Sequence, residues 1–529
     1  MTVNIFDTPK RYLDEIQHGS VMSEQIIERL RDEYSGKSMM CAWLTKDCPL
    51  HCESCFFRSD MDRGNLLDEE CCLTDEGIDR LVEFVNASNS GYLMLSGGGD
   101  PMMVPKKVRK IVTNCNSDRI VIVTSAFWAA TPATAEKAID GLYHAFVSRE
   151  NPADGREVVI RLSVDEYHEK PLGGLHPFAN AIEVFDRKYR DTPGFSLLLH
   201  TMQGDTAVER LAEAMGARIE MDARGVSDND CVIKIIPIKQ RYITESGMVI
   251  PVGVSKLFVS DLAVDLRDEK NEQVRSAVRV MTDDLENSEQ GNPSYIQGSN
   301  GTKGLDFWVD YNGNVTTWFN QDWSKLYNLY TDTYDDVVEG TLSNPMAARF
   351  LKKGYEYRNG IIEEVNPRAV LRSKAVSLRD YAGALVLEED KTKLYYAIRC
   401  LSDFVKEFEL EVEDLKRLSP AIQEIVLDFS RADLQRLYEN SSYDFCDQVF
   451  NPKVYSRLEW EDMLSLIALG HYHVDENKLR DAVYLFNEKT GLGYEWPADF
   501  LHPFSNEKYS RLHQRISFMK AEARELFVA

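Results

Sequence analysis

The sequence predicts an α/β protein built on an open, partial barrel of six strand–helix units, with a small hairpin-containing extension and a mainly helical carboxyl-terminal part. Three observations support this. Short apolar runs alternate with segments of helical period from residue 37 to 260, a polar stretch and a hairpin pattern fill 261–360, and only helical patterns occur over 361–529. Residues 1–36 form a helical lead-in. A chain of 529 residues is long enough for several cores.

The alternating region predicts a parallel sheet, because each parallel connection must cross over, usually by a helix. The predicted strands are Met39–Thr45, Tyr92–Ser96, Ile120–Ser125, Val158–Asp165, Phe195–Thr201 and Val232–Ile238. The helices between them are Asp75–Ala87, Pro105–Thr113, Thr134–Phe146, Pro177–Tyr189 and Ala207–Ala214. In such sheets ligands bind at the carboxyl ends of the strands, so the residues directly after each strand are the candidate site residues.

The rest of the chain divides by composition. Asp265–Asn300 is polar and is interpreted as a linker, and Gly304–Phe319 predicts a hairpin with Asn312 and Gly313 at its turn. The later helical patterns are Lys393–Glu407, Val412–Ser430, Arg431–Glu439, Trp460–Leu469, Asn477–Lys489 and Tyr509–Phe527.

Charge and composition exclude several classes of protein. The formal net charge of −25, from 61 basic and 86 acidic residues, disfavours a nucleic-acid partner, because a phosphate backbone is held by clustered basic side chains. No apolar run approaches the roughly 20 residues that span a bilayer, and the charged amino terminus is unlike a signal peptide. We therefore expect a cytoplasmic protein without a membrane partner, whose ten cysteines stay reduced.

The strongest chemical signal is the run of Cys48, Cys52 and Cys55 directly after the first predicted strand. Three thiolates at this spacing can ligate three irons of a four-iron four-sulfur cluster and leave the fourth iron open. Zinc is the main alternative metal for these three cysteines. It requires a fourth donor, and His51 lies too close to the cysteines to serve easily.

This motif resembles that of the radical S-adenosylmethionine (SAM) superfamily, over about residues 38 to 240. The resemblance implies a partial (β/α)6 barrel with one four-iron four-sulfur cluster, whose open iron chelates S-adenosylmethionine. Electron transfer from a reductant such as flavodoxin or ferredoxin would then yield methionine and a 5′-deoxyadenosyl radical. Ser54 stands where the family usually has an aromatic residue near the adenine, and Phe57 is the candidate replacement.

A second signal follows the second predicted strand, at Gly98, Gly99, Asp100 and Pro101. Glycines let a backbone approach a ligand closely, although an ordinary turn gives the same pattern. Placed one strand–helix unit after the cysteines, this run is similar to the family's Gly-Gly-Glu-Pro element, with Asp100 in the position of the glutamate. The resemblance implies that these four residues bind the cofactor.

The fourth predicted strand carries polar residues on one face. Strand alternation places Arg161, Ser163 and Asp165 together. Ser163 and Asp165 look like the polar pair that binds the ribose or methionine moiety of the cofactor in the family. The alternative is a structural ion pair between Arg161 and Asp165.

Two histidines and the sixth predicted strand complete the candidate site. His168 follows the fourth strand and His200 lies at the end of the fifth. Both are candidate catalytic residues that contact substrate, with a helix cap or a surface position as the alternative. By resemblance, Ile236 lines the adenine. Lys239 and Arg241 are either solvated charges or partners of an anionic substrate group.

A second cluster is not expected. Cys41, Cys71, Cys72 and Cys115 lie outside the motif, and auxiliary clusters in the superfamily usually sit in a cysteine-rich extension called SPASM or twitch. The segment 304–345 is similar to that extension in outline but contains no cysteine. The expected cofactors are therefore one four-iron four-sulfur cluster and S-adenosylmethionine.

The leading functional hypothesis is an oxidoreductase or lyase that abstracts hydrogen from a small molecule of sugar, nucleoside or amino-acid type. Modification of a peptide or of a nucleic-acid base is the alternative within the same chemistry. A non-catalytic metal-binding regulator is the alternative of another class, but it has no use for the glycine run or for Ser163 and Asp165.

Overall fold

The structure is a computed structural model. The residues that it describes are 4–18, 24–50, 52, 71–149, 155–202, 204–221, 238–255, 304–317, 327–366, 390–443, 476–491, 493 and 495–496. Within these ranges no helix has an apolar stretch long enough to cross a membrane.

The described residues form one eleven-stranded sheet in the order β11-β10-β9-β1-β2-β3-β4-β5-β8-β7-β6. The strands are β1 Ser38–Ala42, β2 Ser90–Leu95, β3 Arg119–Thr124, β4 Glu157–Ser163, β5 Phe195–Met202, β6 Arg218–Met221, β7 Ile238–Ile243, β8 Val249–Ser255, β9 Phe307–Val309, β10 Asn314–Thr317 and β11 Tyr327–Asn328. Strands β1 to β5 run parallel, and so do β9 beside β1 and β8 beside β5.

Helices lie before, between and after these strands. They are α1 Pro9–His18, α2 Glu24–Glu33, α3 Asp75–Ala87, α4 Pro105–Asn114, α5 Pro132–Val147, α6 Glu166–Leu172, α7 His176–Tyr189, α8 Ala207–Ala214, α9 Tyr334–Ser343, α10 Pro345–Glu363, α11 Asp390–Phe408, α12 Pro420–Asp428, α13 Arg431–Glu439 and α14 Glu476–Thr490.

The strand order decides which face of the sheet the helices cover. Strands β1 to β5 are neighbours in chain order, so right-handed crossovers place the connecting helices on one face. Phe195 of β5 packs there against Phe146 of α5 and Phe185 of α7, with ring centroids 5.6 and 5.2 Å apart. Phe307 of β9 meets Phe84 of α3 at 5.6 Å. The predicted parallel α/β fold is confirmed.

The sixth position of the parallel sheet differs from the sequence prediction. It is held by β8, whereas the predicted strand Val232–Ile238 lies outside the described residues except for its last residue, which begins β7. Strands β7 and β8 are antiparallel, because the short link through Thr244 and Gly247 closes a hairpin in which the Gly247 amide bonds to the Thr244 carbonyl at 2.9 Å. Lys239 and Arg241 therefore lie in β7, not at the end of a parallel strand.

The predicted hairpin is present as β9 and β10, with Asn312 and Gly313 at its turn. Gly313 adopts a φ of +81°, which favours glycine, and its amide bonds to the carbonyl of Asp310 at 2.9 Å. Strand β9 pairs in parallel with β1, where Met40 is the partner of Phe307. The hairpin therefore extends the central sheet, and the predicted domain boundaries remain predictions.

The amino-terminal lead-in packs against the carboxyl-terminal helices. The ring of Phe6 lies 5.5 Å from Tyr438 and 6.4 Å from Tyr395 of α11, and Asn4 donates to the carbonyl of Leu437 at 2.9 Å. The amino-terminal residues and the helices between 390 and 439 thus share one apolar core with the sheet.

One predicted helix is shorter in the structure. The pattern over Val412–Ser430 predicts a single helix, but α12 begins only at Pro420, after Ser419 at the N-cap position. Proline at a first helical position has no amide to continue an earlier turn. The predicted helices Trp460–Leu469 and Tyr509–Phe527 lie outside the described residues.

Candidate active site

The candidate site lies at the carboxyl ends of the parallel strands. The cysteine loop, of which residues 43–50 and 52 are described, follows β1 there, and both of its described motif cysteines are reduced thiols. Cys48 is partly exposed, whereas Cys52 is 9% exposed. Cys55 and Phe57 lie outside the described residues.

One side of the cysteine loop is held by the segment before α3. The Lys46 amide donates to the Cys71 carbonyl at 2.8 Å, and the Leu73 amide donates to the Leu44 carbonyl at 2.9 Å. The thiol of Cys72 donates to the hydroxyl of Thr45 at 3.0 Å. These bonds fix the backbone directly before Cys48.

The other side is held by the glycine turn, residues Gly97–Pro101 after β2. The Gly99 amide donates to the Thr45 carbonyl at 2.6 Å, and the Asp100 amide donates to the Asp47 carbonyl at 2.9 Å. A Cβ atom added to Gly99 would lie 1.9 Å from the Asp47 carbonyl oxygen. The sequence predicts that these glycines let a backbone approach a ligand; in the structure the backbone that Gly99 approaches is the cysteine loop.

Asp100 ties the glycine turn to the end of β3. Its Oδ2 accepts from the Thr124 hydroxyl at 2.9 Å and from the Ser125 amide and hydroxyl at 2.8 and 2.7 Å, while Oδ1 accepts from the Met102 amide at 2.9 Å. Burial raises the pKa of Asp100, although these hydrogen bonds favour its charged form. Pro101 begins a short 3-10 turn. Sequence reasoning missed Thr124 and Ser125, which carry no motif of their own.

The cysteines outside the motif are poor ligands as the structure places them. Burial raises the pKa of the Cys115 and Cys400 thiols to about 12 and also raises the pKa of Cys41 and Cys72. Metals bind the thiolate form of cysteine.

The polar residues of the central strands share one face of the sheet. Ser163 in β4 is the Cα partner of His200 in β5, and successive partners across β1 to β4 connect Cys41 with Val159. Because alternate residues of a strand share a face, Arg161 lies on this face between Val159 and Ser163. We call the face that carries Cys41, Arg161, Ser163 and His200 the lumen face; it is opposite to the helix-covered face.

Asp165 and His168 form a pair at the end of β4. The strand ends at Ser163, and Asp165 becomes the N-cap of α6. Its buried carboxylate accepts from the His168 amide at 3.0 Å, and His168 Nδ1 lies 2.8 Å from both carboxylate oxygens. In the described part of the chain Asp165 is therefore paired with His168, not with Arg161. The sequence prediction missed α6, although an aspartate three residues before His168 fits a cap.

The two candidate catalytic histidines have opposite electrostatic environments. Burial disfavours the charged form of His168, but the carboxylates of Asp165 and Asp100 outweigh it and raise its pKa. Burial holds the pKa of His200 well below its ordinary value, and the positive charges of Arg161 and His168 add to that effect. The two environments therefore favour the protonated form of His168 and the neutral form of His200.

The segment that contains the cysteine loop matches a known protein family. Residues 34–147 match the family of 4Fe-4S single cluster domains, a segment that contains all three motif cysteines and the glycine turn. This segment is similar to a 4Fe-4S cluster domain. The match agrees with the predicted superfamily and with the predicted four-iron four-sulfur cluster.

Two solved structures are similar to this chain in outline. One is native anSMEcpe with bound AdoMet, at 13% identity and a TM-score of 0.36, covering 70% of this chain and 100% of that chain. The other is a hexahistidine-tagged anSMEcpe with bound AdoMet, at 14% identity and a TM-score of 0.35, covering 72% and 98%. Likenesses at these TM-scores do not define a function. No curated protein sequence matches with significance.

The structure thus brings together most of the predicted site residues that it describes. Gly98, Gly99 and Asp100 lie against the backbone of the cysteine loop directly before Cys48, and Cys52 follows in the same loop. Ser163 and His200 lie on the lumen face beside the Asp165–His168 pair. Ile236 lies outside the described residues. The cofactor-binding and catalytic roles of these residues remain predictions.

Replacing Gly99 tests the packing of the glycine turn on the cysteine loop. Because the added Cβ would overlap the Asp47 carbonyl, Gly99→Ala is expected to cost roughly 1–3 kcal/mol of unfolding free energy and to lower the iron content of the reconstituted domain. Gly360→Ala, in α10 where nothing lies within 4 Å, is the control and is expected to gain up to about 1 kcal/mol. Equal iron content in both variants would contradict this account.

The raised pKa of His168 predicts a pH-dependent contribution to stability. A histidine whose folded pKa is raised stabilises the fold below its unfolded pKa and loses that contribution as pH rises through the folded pKa. The difference in unfolding free energy between wild type and His168→Gln should therefore be larger at about pH 6 than at about pH 9. Denaturant unfolding of both proteins measures it. A difference that is constant or grows with pH would show that Asp165 does not hold a charged imidazole.

Proposed function

We propose that this protein cleaves S-adenosylmethionine reductively at a four-iron four-sulfur cluster and uses the carbon radical to abstract hydrogen from a small molecule. The observation that carries the proposal is the position of the cysteine loop, which is held between the segment 71–73 and the glycine turn. The loop lies at the carboxyl ends of the strands, next to the lumen face with Arg161, Ser163 and His200. A metal-binding regulator would need the loop but not this polar face beside it.

The donor set fits a cluster. Cys48 and Cys52 are reduced thiols in a loop whose preceding backbone is fixed on both sides, and with Cys55 they would hold three irons. When bound, the cluster and S-adenosylmethionine supply the reducing electron and the carbon radical. The chain's own task is to hold the cysteine loop in place and to keep water from the reacting atoms.

Among the described residues, Ser163 is the best candidate to contact the cofactor. It is 7% exposed and lies on the lumen face at the last position of β4. The carboxylate of Asp165 is already engaged by His168, so we assign Asp165 a positioning role toward that histidine. Phe57 and Ile236 remain candidates for the adenine by resemblance.

The two histidines favour a reaction that combines hydrogen abstraction with proton transfer. Titratable groups whose pKa values are pushed apart are the usual acid and base of a site. His168, with its raised pKa, can donate a proton to a leaving group, while the buried His200 stays neutral beside it. Elimination from a sugar, nucleoside or amino-acid type substrate fits this arrangement, because a leaving group that departs after hydrogen abstraction takes up a proton.

The proposal predicts which cysteines are essential. In anaerobically reconstituted protein with dithionite and S-adenosylmethionine, Cys48→Ala, Cys52→Ala and Cys55→Ala should each lose cluster absorbance and the formation of 5′-deoxyadenosine, because two thiolates do not hold the open-iron geometry. Chromatography of the reaction products measures this directly.

Cys72→Ala is the matched control, since its thiol lies beside the same loop but donates to Thr45. It should keep the iron content and 5′-deoxyadenosine formation of the wild type. Two outcomes would reject the proposal: a fully reconstituted wild type that forms no 5′-deoxyadenosine, or a motif variant that forms it as fast as the wild type.

A further inference from the structure

Arg161 is a buried cation in the middle of the lumen face. It lies in β4, two residues before the strand ends, and is 9% exposed. Its Nε has no hydrogen-bond partner among the described residues. Burying a guanidinium costs free energy unless an anion or several acceptors compensate it.

The charged and polar groups around Arg161 do not supply that anion. Its electrostatic neighbours are Cys41 and Tyr92, both neutral near pH 7, together with the two histidines, whose effect on it is repulsive when charged. The nearby carboxylate of Asp165 is held by His168. No salt bridge joins Arg161 to a carboxylate in the described part of the chain.

Two other buried arginines among the described residues each have a partner for part of the guanidinium, although their Nε atoms also lack one. Arg349, whose side chain is 3% exposed, pairs with Glu407. Arg149 donates to the carbonyls of Cys115 and Ser117 at 2.9 and 3.3 Å. Arg161 has neither a carboxylate nor a carbonyl partner among the described residues, which points to a partner outside them.

We infer that Arg161 binds an anionic group of the substrate, a carboxylate or a phosphate, inside the lumen. The inference rests on the proposed function and names the substrate class for it. A guanidinium matches both groups, because its parallel N–H donors form paired hydrogen bonds with two oxygens of either.

The position of Arg161 favours a substrate group over the carboxylate of the cofactor. Arg161 lies inside β4, opposite Val123 of β3, whereas Cys48 and Gly99 lie beyond the ends of β1 and β2. The charge of Arg161 is therefore deeper in the lumen than the cysteine loop. The superfamily resemblance places the carboxylate of S-adenosylmethionine on the cluster iron, at the level of the loop.

The test measures anion binding by the full-length, reconstituted protein without S-adenosylmethionine. The probes are inorganic phosphate and malonate, each titrated at constant ionic strength against thermal unfolding, and the probe that stabilises more strongly identifies the group. Arg161→Met should weaken that binding at least about tenfold, because charge-assisted hydrogen bonds are lost. It should also unfold no earlier than the wild type without anion, because an uncompensated buried charge is removed.

Two further variants distinguish specific binding by Arg161 from a general effect of positive charge on this face. Arg119→Met removes an arginine of the same face that is already paired with Glu157 at 2.5 Å, and it should leave anion binding unchanged. Arg161→Lys keeps the charge but loses the paired geometry, so it should bind the anion more weakly than the wild type and more tightly than Arg161→Met. If Arg161→Met fails to fold, the anion affinity of Arg161→Lys relative to the wild type is the test of the inference.

The inference is overturned if neither probe stabilises the wild type, if Arg119→Met weakens binding as much as Arg161→Met, or if Arg161→Lys binds as the wild type does. It is also overturned if Arg161→Met loses affinity for S-adenosylmethionine, because Arg161 would then be a cofactor ligand. Formation of 5′-deoxyadenosine by the wild type is scored separately, so a failure of the proposed chemistry is distinguishable from a failure of anion binding.

Discussion

The site depends on the backbone contact between the glycine turn and the cysteine loop. The Gly99 and Asp100 amides bond to carbonyls of Thr45 and Asp47, at a distance that leaves no room for a side chain on Gly99. Asp100 then fastens the same turn to the end of β3. Three consecutive strands of the sheet thereby fix where the cysteine loop starts, and with it the position of Cys48 over the lumen face.

The winding of the sheet explains why the lumen face can be polar. Neighbouring parallel strands in chain order place their helices on one side, where Phe195 and Phe307 are buried among aromatic rings. The opposite side carries Arg161 and His200 in largely buried positions. Burial there disfavours the charged form of His200 and raises the free-energy cost of the Arg161 charge, which a bound anion would offset. The same geometry therefore governs both the protonation of His200 and the proposed binding of an anion.

The fold was predictable wherever strand and helix periods alternated, and the helices Asp75–Ala87 and Ala207–Ala214 have the predicted bounds. The faces of Arg161 and Ser163 followed from alternation alone. Two features were not predictable by these rules. The sixth parallel strand follows a tight hairpin and not a helix, and Asp165 caps a short helix instead of continuing β4, because local turn and capping contacts override an apolar or alternating pattern.

The central claim is that the cysteine loop holds a cluster with one iron open to S-adenosylmethionine. Electron paramagnetic resonance of the reduced, reconstituted wild type measures this most directly. The account predicts that adding S-adenosylmethionine changes the g values of the cluster signal, because the open iron gains amino and carboxylate ligands. A fully loaded cluster whose signal is the same with and without S-adenosylmethionine would contradict it.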